Sequence, residues 1–69
     1  MKLFYVDSKN NSHFVAEADS FEELIGPMIG HQRSRFIYHS GTFIPPGRVQ
    51  PGQAYTVYRD KAGTYEVRG

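Results

Sequence analysis

Three histidines, His13, His31 and His39, are the only soft-metal ligands in a chain of 69 residues that has no cysteine. No two of them stand four apart on a helix, and no thiolate is present to complete a tetrahedral zinc site. A surface or structural role is expected for each, and no metal or other cofactor. Serine, histidine and aspartate all occur, but no Gly-x-Ser-x-Gly elbow presents a nucleophile. Glu22 and Glu23 are adjacent, so on a helix they point in different directions and make a poor acid–base dyad. The chain is therefore expected not to be an enzyme. Its remaining chemistry lies in cations interleaved with aromatics: Arg33, Arg35, Phe36, Tyr38, Arg48, Tyr55, Tyr58, Arg59, Tyr65 and Arg68. Base-stacking platforms of single-strand binders have this composition. So do the energetic centres of protein interfaces, where tyrosine and arginine are enriched.

Charge separates these two uses. The net charge is +1, whereas phosphate binding calls for a clear basic excess. A protein partner is expected first, and single-stranded nucleic acid is the alternative. The near-neutral total conceals an asymmetry. In residues 1–30, Lys2 and Lys9 face Asp7, Glu17, Asp19, Glu22 and Glu23, a net of −3. In residues 31–69, Arg33, Arg35, Arg48, Arg59, Lys61 and Arg68 face Asp60 and Glu66, a net of +4. A two-signed surface suits a charged partner, although carboxylates also gather at helix starts for dipole reasons.

The elements that must position these residues fit one domain spanning 1–69. A chain this short buries only about 60% of its unfolded surface, and without disulfides its five tyrosines and five phenylalanines must supply much of the core. The first residues are too short an apolar run for a signal peptide, and no run nears the roughly 18 residues of a membrane span. A cytoplasmic, membrane-free protein is expected, in keeping with the absence of cysteine. Lys2 to Val6 and His13 to Glu17 alternate as strands, joined by a turn at residues 7–12 rich in side chains that bond their own backbone. Ser20 and Glu23 have capping-box spacing, and Phe21, Leu24, Ile25 and Met28 follow as one apolar stripe. Gly26-Pro27 should shorten or kink this helix, which is expected to end near Gly30 or His31. Arg35 to His39 reads as a third strand and Thr42 to Ile44 as a short fourth. Tyr55 to Arg59 and Gly63 to Val67 read as a closing hairpin, with Gly63 in a left-handed turn position. The expected fold is α+β: a single small mixed sheet packed on one short helix, in the order β-β-α-β-(β)-β-β.

That order resembles the ubiquitin-like β-grasp. Met1-Lys2-Leu3-Phe4 is similar to the family's start and Asp19-Ser20-Phe21-Glu22-Glu23-Leu24 to its helix entry. Arg35-Phe36-Ile37-Tyr38 resembles its central strand and Tyr55-Thr56-Val57-Tyr58-Arg59 its last. The resemblance covers about residues 1–59. It implies an apolar partner-binding patch at Ile37 and Val57, flanked by Tyr55. With the neighbouring cations and the last strand, the expected partner-binding residues are Ile37, Tyr55, Val57, Arg35, Arg59, Tyr65 and Arg68. Conjugated relatives expose a diglycine tail, whereas Arg68-Gly69 follows a segment that reads as a paired strand. The expected function is thus a small non-enzymatic protein-binding module. In size and style it resembles the proteins that phages and mobile elements use to occlude a surface on a host protein. A ubiquitin-like modifier or adaptor is an alternative. The last strand, if at a sheet edge, would also permit strand addition by a partner or a homodimer.

Overall fold

The computed structural model describes residues 1–35 and 41–69. Two hairpins supply most of the framework. The first joins β1 (Lys2–Asp7) to β2 (Ser12–Glu17). Its turn is built by Asp7, whose Oδ1 accepts hydrogen bonds from the amides of Lys9 and Asn11, both at 2.9 Å. Asn10 takes the left-handed conformation, φ 67°, that asparagine tolerates better than most residues. The second joins β4 (Ala54–Arg59) to β5 (Gly63–Arg68), where the Asp60 Oδ1 accepts from the amides of Ala62 and Gly63.

Between the hairpins lie α1 (Glu22–Ser34) and the two-residue β3 (Thr42–Phe43). The sheet order is β2-β1-β5-β4-β3. The α+β class read from the sequence is the one observed, but the expected mixed sheet is not: every pairing among the described residues is antiparallel. β5 runs opposite to both β1 and β4. The last strand also lies at the centre of the sheet rather than at an edge; among the described residues the edges are β2 and β3. The β2 edge is blunted by a bulge, since Leu3 faces Ala16 while Phe4 faces Phe14 and leaves Val15 without an opposite number.

Strand alternation puts Leu3 opposite Val67 and Tyr5 opposite Tyr65. These four side chains, with Val57, form the sheet's side of the core, and Leu24 and Met28 of α1 close it. Each such burial contributes on the order of 1.5–3 kcal/mol. The opposite face, carrying Phe4, Phe14, Glu66 and Arg68, is open to water, as antiparallel sheets allow. Among the described residues no helix is long and apolar enough to cross a membrane.

The helix departs from expectation at both ends. Ser20 and Glu23 do not form a capping box. Phe21 occupies the N-cap position in helical conformation (φ −64°, ψ −36°), without a side-chain cap, and its carbonyl accepts the Leu24 amide at 2.9 Å. The ring has no acceptor to offer; it is engaged elsewhere. Gly26-Pro27 does not stop the helix, which runs to Ser34. Pro27 deprives only the Glu23 carbonyl of its partner, and Glu23 is exposed to water. Arg35, expected to open a third strand, instead caps the helix, its amide donating to the His31 carbonyl at 3.2 Å. The rest of that expected strand, Phe36 to His39, lies outside the described residues.

Candidate interaction site

Among the described residues, those expected to bind a partner are not brought together. Val57 is fully buried and Tyr65 is 1% exposed, so both are core residues and neither can meet a partner. Val57 sits at a bulge, between the Thr56–Glu66 and Tyr58–Tyr65 pairs, which turns it inward. Ile37 lies outside the described residues, so its expected place beside Val57 and Tyr55 does too. Tyr55 is half-buried, its hydroxyl 3.3 Å from the Gln50 amide that donates to it. Arg59 and Arg68 belong by register to the open sheet face. Arg68 lies over the Phe4 ring at 3.9 Å, with its Nε donating to Glu66 at 2.6 Å and an amino group donating to Ser12 at 3.0 Å. Arg35 stands on the other side of the sheet, 5.2 Å from the Tyr5 ring centre.

Tyr5, Tyr65, His13 and His31 instead build an aromatic cluster. Tyr5 packs against Tyr65, His31 and His13 at ring separations of 5.0, 5.3 and 6.1 Å. His31 Nδ1 and the Tyr65 hydroxyl share a hydrogen bond of 2.7 Å. His13 Nε2 donates to Asp7 Oδ2 at 2.9 Å. Burial holds the His31 pKa below its ordinary value, and the positive charge of Arg35 acts the same way. Burial likewise pushes Tyr65 well above its usual value, with Tyr5 and Asp60 adding to it. The His13 hydrogen bond, then the Asn11 amide, lower Asp7 to about 2. Such a cluster fixes the packing between the helix end and the sheet.

A different surface gathers where the helix begins. Phe21 stacks on Phe43 with ring centres 5.8 Å apart and planes 24° from parallel. Phe43 nevertheless remains 45% exposed and the next residue, Ile44, 40%. The Ile44 amide donates to the Val57 carbonyl at 2.8 Å, which holds the strand edge beside the helix start. Beyond it Pro45, Pro46 and Gly47 approach residues 19–22 and enclose an open cleft of about 380 Å³. Met1, Phe21 and the two prolines form its apolar walls, while Asp19, Ser20 and Glu22 supply its polar atoms. Asp19 and Glu22 are exposed, and neither takes part in the ion pairs among the described residues.

No family model, curated protein or solved structure matches this chain. The surface must therefore be judged on its own geometry. Sequence reasoning assigned Phe21 and Ile25 to the same buried stripe as Leu24 and Met28. The structure separates them into two columns. Leu24 and Met28 are buried, whereas Phe21 and Ile25 are half-buried and Ile29 is 41% exposed. The spacing of Phe21, Ile25 and Ile29, each four apart, carries the signal that would reveal this second column.

Proposed function

We propose that this chain is a non-enzymatic protein-binding module that covers a surface on a larger protein, with the Phe21–Phe43–Ile44 patch as its contact. The observation that carries this reading is the pair of large apolar side chains left 45% and 40% exposed on one side of the stacked rings. They stand beside a cleft, in a small domain that needs apolar burial for its own stability. Contiguous exposed apolar side chains with a polar rim are typical of docking sites. Support for nucleic acid is weaker. Tyr65 and Tyr5 turn inward, and Arg68 on the open face is matched by Glu66.

The test is site-specific photo-crosslinking in the cells that make the protein. A photoreactive residue at Ile44 should give discrete protein adducts. The same residue at Thr56, on the open face, serves as the control and should give none. Equal yields from both positions, or none from Ile44, would reject this surface.

A further inference from the structure

We propose that the cleft at the start of α1 is an arginine-anchored docking site. A partner segment would seat a guanidinium between Phe21 and the prolines, and lay an apolar neighbour on Phe43 and Ile44. This deepens the protein-binding reading and rests on it.

The walls and the rim demand different things of an occupant, and a guanidinium meets both. Phe21, Pro45 and Pro46 line the cleft, and a planar, weakly hydrated guanidinium packs on an aromatic ring and against apolar walls more readily than a strongly hydrated ammonium. Asp19 and Glu22 present carboxylates, which guanidinium recognises through two parallel hydrogen bonds. A wholly apolar occupant would strip water from both carboxylates with nothing to replace it, and that is costly. An anionic occupant would meet like charge.

The local charge balance agrees. The N-terminal end of a helix carries a positive partial charge of roughly half a unit, and Glu22 and Glu23 in the first turn already offset it. The Met1 ammonium donates to the Ala18 carbonyl at 2.8 Å, and Arg48 follows the cleft's Gly47. Even counting both cations, Asp19, Glu22 and Glu23 leave the neighbourhood negative. The cleft also continues directly into the apolar patch, because Phe21 lines one and stacks in the other. A charged anchor and its apolar neighbour can therefore be held by one short segment.

Two capped tetrapeptides test this: Leu-Arg-Leu-Leu, and the same peptide with citrulline, which keeps the shape of arginine without its charge. Each is titrated into isotope-labelled protein while amide resonances are followed. The arginine peptide should move the resonances of residues 19–23 and 43–47. It should bind about fivefold more tightly than the citrulline peptide, the size of one exposed charge pair. The preference should vanish in the double variant Asp19→Asn/Glu22→Gln, whose dispersed spectrum confirms folding. It should also vanish in roughly 1 M salt, where screening extends only about 3 Å. Equal binding of the two peptides, no binding of either, or shifts confined to Phe4 and Phe14 would overturn the proposal. Crosslinks from Ile44 together with no arginine preference would remove the anchor and leave the binding module standing.

Discussion

At the scale of single residues, seven buried side chains among the described residues carry the core, and Leu24 is the helix's fully buried contribution. Leu24→Ala should lower the unfolding free energy by about 2–5 kcal/mol, the usual range for such a cavity. Ile29→Ala, at the exposed end of the second column, should stay within about 0.5 kcal/mol. Urea denaturation of both variants checks the contrast, and equal losses would contradict the two-column helix. His31 makes the fold sensitive to acid. Its folded-state pKa lies below the ordinary value of about 6.5, so below that pH the unfolded chain takes up a proton that the folded chain resists. The stability contributed by neutral His31 is complete above about pH 6.5 and declines as pH falls through the window beneath it. Asp7, lowered from 3.8 to about 2, works in the same direction further down. Its contribution is present above about pH 4 and is lost towards pH 2. The urea midpoint should therefore fall in two stages on acidification. His31→Gln should flatten the first stage and Asp7→Asn the second. A wild-type midpoint that does not change between about pH 7.5 and 5.5 would contradict the role given to His31.

At the scale of elements, the two hairpins were legible because their instructions are local. Asp7 and Asn10 write the first turn in adjacent side chains, and Asp60 with Gly63 writes the second. The reason for Gly63 differs from the expected one. Its φ is not among the positive values; instead a Cβ there would collide with the Val6 carbonyl oxygen on β1. That is a demand of the neighbouring strand, invisible in the turn itself. The helix was misread for a related reason. Gly26-Pro27 is a local stop signal, and the packing of Leu24 and Met28 on the sheet overrides it. Gly26 and Gly30 meet nothing within 4 Å where a Cβ would stand, so their backbone freedom costs stability without a packing return. Gly26→Ala and Gly30→Ala should each stabilise the protein by about 0.5–1 kcal/mol. Thermal melts of the two variants measure this, and a lower melting temperature would show that the helix needs its glycines.

At the scale of the whole molecule, the candidate site was the least legible part. It depends on residues 43–47 lying against residues 19–22, and nothing in either segment names the other. Phe21 read as a core residue because half its environment is indeed apolar; that the apolar neighbour is Phe43, itself exposed, is a property of the assembled fold. The same scale governs truncation. β5 holds β1 on one side and β4 on the other, and it contributes Tyr65 and Val67 to the core. Removing residues 61–69 should therefore abolish the folded state rather than trim an edge. Circular dichroism and amide dispersion of the shortened chain check this. A cooperatively folded product would mean that β1, β2 and α1 can stand without the central strand.

The central place of β5 also has a consequence for how the protein comes into being. During synthesis β1, β2 and the helix are made before β5. Until then β1 has only β2 beside it, and a two-stranded hairpin is marginal in water. The nascent chain must hold Leu3, Tyr5 and Leu24 without their final partners until the last strand arrives and inserts between two waiting neighbours. The sheet is therefore completed by its last strand, and until then the apolar side chains of the unfinished sheet lack their cover.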